Sequence, residues 1–161
     1  MITAEYARQL LDYDPETGVL RWKEDRGHMK AGSVAGSHGH PSNPYYAIKI
    51  DKVLYKNHRL AWLIVFGWMP EAIDHIDGDP SNNRLSNLRA CTMTQNKGNS
   101  RRYKNNKLGF KGVHRSGDKY RAYVQHNGAK HHLGYFDTVE AAALAYERKA
   151  KELFGEFARA E

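Results

Sequence analysis

Residues 74–96 read DHIDGDPSNNRLSNLRACTMTQN, and this stretch decides how the chain is organised. Gly78 and Pro80 interrupt any regular element, while Asp and Asn side chains can satisfy loop backbone groups by local hydrogen bonds. The predicted elements are a strand ending at His75, a structured loop to Asn87, a strand Leu88–Thr92 and a helix from about Thr94. This order is a ββα unit, in which Asp74 and His75 share a strand end and Asn96 lies in the first helical turn.

These residues resemble the HNH nuclease family, especially its phage and intron-encoded homing endonucleases. The matching motif consists of Asp74-His75-Ile76-Asp77-Gly78-Asp79, Asn82-Asn83-Arg84, Asn87-Leu88-Arg89 and Asn96. The upstream segments His58–Trp62 and Tyr13–Gly18 also look like that group, so the resemblance spans Tyr13–Asn99. One departure is Asn96, because many relatives have histidine there.

The resemblance implies a metal-dependent DNA endonuclease that hydrolyses a phosphodiester bond, with His75 as general base and Asn87 bracing the catalytic loop. Asp74 and Asn96 are the implied metal ligands. Their carboxylate and amide oxygens are hard donors, which favours a single Mg²⁺ or Mn²⁺, and no structural zinc is expected. An imidazole with a pKa near ~6.5 can accept a proton from water at neutral pH.

Two arginines of the motif are candidate phosphate contacts. Arg84 and Arg89 could each hold a phosphate by a bidentate contact, but either could equally pair with Asp77 or Asp79. The sequence leaves these alternatives open.

The positive charge of the chain is concentrated in one block. Up to Asn96 eleven Lys and Arg balance eleven Asp and Glu, whereas residues 97–132 hold ten basic residues and only one acidic residue, Asp118. Such a block indicates a polyanion bound through phosphate contacts. The first part of the block is predicted to be a basic linker that follows the DNA backbone, with Arg101, Arg102 and Lys104 as DNA-binding residues.

The segment after this linker predicts three strands and a helix. The strand-like runs are Phe110–Arg115, Lys119–His126 and Lys130–Phe136, and Asn127-Gly128 is a strong hairpin signal. A helix is predicted over Thr138–Phe154, with Asp137 and Glu140 spaced as a capping box. Its small alanines allow it to lie close to the apolar face of the sheet, which leaves the basic face open to a DNA groove.

This C-terminal segment resembles the DNA-binding domain of plant ethylene-response factors (Apetala-type), which also occurs on phage HNH nucleases. The resemblance rests on GFKGV at 109–113, Lys119-Tyr120, LGYFDT at 133–138, Glu140-Ala141-Ala142 and Ala145-Tyr146. It implies groove-facing side chains, which with Lys119 and the added candidate Arg121 form the predicted DNA-binding set His114, Arg115, Lys119, Arg121, Tyr123, Gln125, Lys130 and His132. The plant domain's tryptophans are absent, so its target sequence is not carried over.

The first part of the chain predicts several elements around the motif. They are a helix Thr3–Leu11, a turn Asp14–Gly18, a strand Val19–Trp22, an irregular, mobile loop Gly27–Pro44, a hairpin of Tyr46–Ile50 with Val53–Tyr55, and a core helix His58–Phe66 capped by Asn57. The predicted class is α+β: a ββα-metal nuclease core with an N-terminal antiparallel hairpin region, plus a small three-stranded antiparallel sheet packed on one helix.

The predicted domains are a nuclease domain at 1–99, a basic linker at 100–108 and a DNA-binding domain at 109–161. If they are independent, removal of the last should leave metal binding intact. Cys91 is the only cysteine, which fits a reducing compartment, so we expect a cytoplasmic protein of a phage-infected or bacterial cell. The expected partner is double-stranded DNA, and no membrane association is expected. We expect the protein to be a monomer that nicks one strand.

Two other functions are compatible with parts of the sequence. A non-cleaving DNA-binding regulator would explain the basic block, and an RNA-binding structural protein would explain the charge. Neither gives a reason for Asp74, His75, Asn87 and Asn96 at this spacing, which favours the nuclease.

Overall fold

The computed structural model describes residues 2–40, 43–100 and 106–159. The chain divides into two compact units, 1–90 and 91–161, and the mixture of helices and strands in them agrees with the predicted α+β class. Within the described ranges, no helix is both long and apolar enough to cross a membrane.

The first unit begins with a helix and a small hairpin. Helix α1 (Ala4–Leu10) follows Thr3, whose side chain accepts the Tyr6 N–H, as the sequence predicts. Strand β1 (Leu11–Tyr13) then pairs with β2 (Leu20–Trp22) across the predicted turn. Leu11, the last residue of the predicted helix, instead has an extended backbone and begins β1.

A three-stranded antiparallel sheet follows, made of β3 (Ser37–His40), β4 (Asn43–Ile50) and β5 (Val53–Lys56). The hairpin of β4 and β5 is confirmed, and its turn residues Asp51 and Lys52 both have positive φ. The prediction of an irregular loop at 27–44 is wrong. The segment pairs with Leu20–Trp22 through backbone hydrogen bonds and then forms β3. Because backbone pairing does not require alternating apolar residues, the sequence pattern did not indicate it.

Helix α2 (Asn57–Phe66) packs against this sheet and ends at Gly67, which has a positive φ. Asn57 is not its cap, in contrast to the prediction, because the N-cap is Lys56. The Asn57 side chain is buried instead and donates a hydrogen bond to the Ala35 carbonyl. The core beneath contains Leu11, Leu20, Ile48, Ile50 and Leu60.

Strands β6 (Ala72–His75) and β7 (Leu88–Cys91) form a separate two-stranded sheet. A 3₁₀ turn, Leu85–Asn87, leads into β7. Ile73 of β6 and Leu88 of β7 join Ala61 and Trp62 of α2 in one apolar cluster. This cluster fixes the strand end that carries Asp74 and His75 to the core.

The second unit contains helix α3, a sheet and helix α4. Its elements are α3 (Met93–Gly98), β8 (Val113–Ser116), β9 (Lys119–His126), β10 (Ala129–Phe136), α4 (Val139–Phe154) and a 3₁₀ turn, Gly155–Phe157. The strands form an antiparallel sheet with β9 in the centre, and α4 packs on it through Val113, Ala122 and Ala142.

The cap of α4 differs from the prediction. Thr138 is the N-cap, because its side chain accepts the N–H of Ala141 at 3.2 Å. Asp137 precedes the cap and pairs with Lys119 at 3.1 Å, so the predicted capping box of Asp137 and Glu140 is wrong. Strand β10 also contains a register shift between His132 and Gly134, which the sequence did not indicate.

Candidate active site

Asp74 and His75 lie at the buried end of β6. Asp74 is 3% exposed and His75 is 6% exposed, and all four residues of the strand are buried. A buried carboxylate costs free energy unless it has a cationic or hydrogen-bonding partner. The neighbouring strand provides one.

Arg89 of β7 is that partner. Its Nε–H donates to Asp74 Oδ2 at 2.8 Å, and both side chains are largely shielded from water. The sequence left open whether Arg89 holds a phosphate or pairs with Asp77 or Asp79. The ion pair is instead with Asp74, because β6 and β7 are neighbours in one sheet.

Arg84, the other candidate phosphate contact, lies in the loop and is exposed. In the ranges that the structure describes, no ion pair holds its guanidinium. Arg84 is therefore the better placed of the two arginines to meet an incoming phosphate.

The loop between the strands is held by Asn87. Its side-chain oxygen accepts the Asp77 N–H at 3.0 Å, and its amide donates to Asp77 Oδ1 and to the Asn82 carbonyl. Burial opposes ionisation of Asp77, but the hydrogen bonds from Asp79, Asn82 and Asn87 outweigh it and lower the pKa of Asp77. Asn87 thus joins both ends of the loop by hydrogen bonds, and its contribution to catalysis stays a prediction.

Asn83 contacts the His75 ring directly, a contact that the sequence does not predict. The distance between His75 Nε2 and Asn83 Oδ1 is 3.1 Å, and Asn83 is buried. The contact is compatible with the tautomer in which Nε2–H donates to the Asn83 side-chain oxygen. Asn83 belongs to the motif, but the sequence does not tell which of Asn82 and Asn83 faces inward.

The Tyr13–Gly18 turn contacts this loop through hydrogen bonds. Tyr13 Oη donates to the Asn83 carbonyl at 2.7 Å, and the Leu85 N–H donates to the Pro15 carbonyl at 3.0 Å. Gly18 has a φ of 75°, and a Cβ there would lie 2.4 Å from the Asn83 backbone. The turn thus helps to position Asn83, and through it His75.

A second histidine, His58 of α2, lies edge-on to His75 with ring centroids 5.0 Å apart. Tyr45 of β4 contacts both rings, and Lys56 Nζ lies 4.0 Å from the centre of the tyrosine ring. Burial, with the positive charges of His75, Lys56 and Arg59, lowers the pKa of His58 to about 3. His58 therefore stays neutral and adds no charge beside His75.

Asn96, the other implied metal ligand, lies in α3 of the second unit and is half-buried. The helix begins with a capping box: the Thr92 side chain accepts the Gln95 N–H, and the Gln95 side chain accepts the Thr92 N–H. Asp74, His75 and Asn87 belong to the first unit, so the pairing of Asn96 with Asp74 stays a prediction.

The donor chemistry fits a divalent ion. An Asp carboxylate and an Asn amide oxygen are hard donors, and Mg²⁺ commonly takes one or two carboxylates and keeps several waters. Among the described residues, no group of three or more His, Cys, Asp or Glu side chains could hold a metal ion.

The sheet of the second unit presents the predicted basic face. Along β9, Ala122 and Val124 are buried and pack inward, whereas Lys119, Arg121 and Gln125 are exposed. Tyr123 on the exposed side stacks on His114, with planes 8° apart, and Lys130 Nζ lies 3.7 Å from the Tyr123 ring centre. Burial and the nearby Arg121 and Lys130 lower the pKa of His114.

Strand register separates Arg115 from this face. His114 is opposite Arg121 and His132 is opposite Tyr123, so these four share one side of the sheet. Arg115 is opposite Tyr120 and therefore lies on the other side, where its Nε–H donates to the Gly117 carbonyl. The expectation that adjacent His114 and Arg115 both face a groove is wrong for Arg115. Arg101, Arg102 and Lys104 lie outside the described residues.

The amino-acid sequence matches one family model and two known proteins. Residues 55–97 match the family model described as HNH endonuclease. The chain is 40% identical over 116 residues to a protein of Acanthamoeba polyphaga mimivirus named "Uncharacterized HNH endonuclease L560", covering 70% of this chain and 60% of that protein. It is 36% identical over 118 residues to "Protein 3.8" of Escherichia phage T7, covering 69% of this chain and 97% of that protein.

Residues 55–97 of the chain form an HNH endonuclease domain. The prediction that it is an HNH endonuclease is therefore confirmed. The matched range of the HNH model includes His58, His75, Asn83, Asn87 and Asn96, and ends before the sheet of the second unit. No solved structure matches the chain.

The buried ion pair of the HNH motif should be important for stability. Replacing Arg89 by Met removes the guanidinium from Asp74 and should lower the free energy of unfolding by about 3–5 kcal/mol, as for other broken buried pairs. Urea unfolding measures this change. Arg84→Met is the matched control, and it should stay within about 0.5 kcal/mol of wild type, because Arg84 is exposed. Equal losses in the two variants would contradict the role given to the ion pair.

His58 should make the fold sensitive to mild acid. The unfolded chain protonates this histidine near pH ~6.5, whereas the folded chain does so only near 3, so unfolding takes up a proton between these values. The free energy of unfolding should therefore fall as the pH is lowered, by about 1–2 kcal/mol between pH ~7.5 and ~5.

Urea unfolding of wild type and His58→Gln at the two pH values tests this dependence. The variant should lose most of that acid effect, whereas His28→Gln, at an exposed position, should keep it. An acid effect of wild-type size in His58→Gln would show that another group is responsible.

Proposed function

We propose that this HNH endonuclease is a divalent-metal-dependent, site-selective DNA nuclease of the homing type that nicks one strand as a monomer. The observation that supports it best is the setting of His75, whose Nε2 contacts Asn83 at a buried strand end beside Asp74. A general base needs a fixed orientation and a defined tautomer, and this contact favours both. The relative from Escherichia phage T7 supports action in a phage-infected or bacterial cell.

The proposed metal ligands are the Asp74 carboxylate and the Asn96 amide oxygen, with Mg²⁺ or Mn²⁺ as the ion. HNH nucleases generally use a divalent metal ion. When bound, such an ion stabilises negative charge that develops on the phosphate and on the leaving oxygen. Arg89 supports this assignment, because it keeps the Asp74 carboxylate oriented by binding Oδ2.

In the proposed reaction His75 takes a proton from the attacking water at Nδ1, while Asn83 holds Nε2. Asn87 keeps the Asp77–Asn87 loop in shape through three hydrogen bonds. Arg84 is the proposed phosphate contact, because its side chain is exposed in that loop. His58 stays neutral and so places no positive charge of its own beside His75.

We further propose that the sheet of the second unit is an Apetala-type DNA reader for double-stranded DNA. The proposed contacts are Lys119, Arg121, Tyr123, Gln125, Lys130, His114 and His132, with Arg101, Arg102 and Lys104 on the phosphate backbone. The alternation of buried and exposed residues on β9, and the Lys130–Tyr123 contact on the exposed side, support this role. A rigid aromatic ring beside cations suits a nucleic-acid surface.

The catalytic assignment predicts a large effect of His75→Ala. Nicking of supercoiled plasmid with Mg²⁺ should fall by about 10²-fold or more, the usual contribution of a general base, while affinity for DNA stays near wild type. His28→Ala is the matched control, and unfolding measurements check that both variants fold. Full activity of His75→Ala would remove the assignment. A wild-type protein that binds the plasmid tightly but leaves it intact would overturn the proposed function.

The reader assignment predicts different effects for residues on the two sides of the sheet. Arg121→Ala and Lys130→Ala should each weaken DNA binding and lower the slope of log K against log salt by about one, as for the loss of one phosphate contact. Arg115→Ala removes the same charge from the other side and should change the slope little. Equal effects of Arg115→Ala and Arg121→Ala would show that this face does not bind DNA.

A further inference from the structure

Helix α3, which carries Asn96, is too short to be stable alone. It has six residues, Met93–Gly98, whereas isolated helices shorter than about 12 residues are marginal in water. Its position must therefore come from tertiary contacts. Within its own compact unit, such contacts come from residues of the C-terminal segment.

Lys111 makes the main polar contacts at the C-terminal end of α3. Its Nζ donates to the carbonyls of Gly98 and Ser100 at 2.7 Å each, and lies 3.4 Å from the Lys97 carbonyl. The last carbonyls of a helix have no partner inside the helix and carry partial negative charge, which a cation there stabilises. Burial, with the nearby Arg159, lowers the pKa of Lys111 to about 8, so the ammonium still predominates at neutral pH.

Other contacts hold α3 from further sides. The Arg159 N–H donates to the Gly98 carbonyl, and Thr94 Oγ1 donates to Asn127 Oδ1 in the turn between β9 and β10. A Cβ on Gly98 would lie 2.7 Å from the Phe154 ring of α4, so only glycine permits this close packing. The helix of the nuclease motif is thus built into the unit that carries the sheet.

We propose that Lys111 is a positioning residue for Asn96. Through Lys111, the second unit, which is the proposed DNA reader, also fixes the helix that carries this proposed metal ligand. Lys111 lies between α3 and β8 in the chain and ties the two together. The inference rests on the proposed function in one respect, which is the metal role of Asn96. It replaces the expectation that the C-terminal segment is dispensable for metal binding.

The test uses the full chain with Lys111→Met, and Lys107→Met as a control at a neighbouring exposed lysine. Amide hydrogen exchange should speed up by about 10-fold or more at Asn96 and Asn99, whose N–H groups donate within α3. Binding of Mn²⁺ alone, followed by electron paramagnetic resonance, should weaken by a similar factor. Lys111→Arg, which keeps a cationic donor, should restore both.

Gly98→Ala gives a second route to the same state, because it displaces α3 from Phe154 without changing Lys111. It should raise exchange in α3 and weaken Mn²⁺ binding, while amides of β9 stay protected. Unchanged exchange at Asn96 in Lys111→Met would overturn the proposal, and so would faster exchange with unchanged Mn²⁺ binding. The Asn96→Ala variant distinguishes this proposal from the proposed function. If Asn96→Ala binds Mn²⁺ as tightly as wild type, while the separate Lys111→Met variant still exchanges faster in α3, the metal role of Asn96 is overturned.

Discussion

The ion pair between Arg89 and Asp74 is the interaction on which the site depends. It allows a carboxylate to be buried at the end of a short strand, where an uncompensated charge would be costly. Because the two residues are on neighbouring strands, the pair also ties β6 to β7. His75, the next residue after Asp74, takes its position from the same strand end.

Around this ion pair, neutral side chains contact the His75 ring. Asn83 contacts one ring nitrogen, and His58 contacts the ring itself while its own pKa is lowered to about 3. Tyr13 and the Asp14–Gly18 turn hold Asn83 from a distant part of the sequence. Residues of the first unit that lie outside the HNH motif therefore help to position the His75 imidazole.

The compact units do not follow the limits of the motif. The motif reaches Asn96, but helix α3 packs with α4 and the Gly155–Phe157 turn in the second unit. A short helix without stability of its own takes its place from its packing partners. The division between the two compact units therefore falls inside the HNH motif, before α3.

Much of the fold and part of the site could be predicted from the sequence. Helix α1, the β4–β5 hairpin and the alternation along β9 follow from local caps, turns and periodicity, and the HNH motif identified Asp74, His75 and Asn87. The strand pairing of residues 27–40, the Asp74–Arg89 pair and the side of the sheet that Arg115 occupies did not follow, because each is set by register or by partners far along the chain.

The sequence by itself determined the match to the HNH domain and the residue types proposed for catalysis, since those depend on residue type and spacing. Only the tertiary structure decided that Asn83 rather than Asn82 contacts His75, that His58 is buried beside it, and that Lys111 holds the Asn96 helix. The physical reason is that each of these contacts joins residues whose approach is set by packing of whole elements.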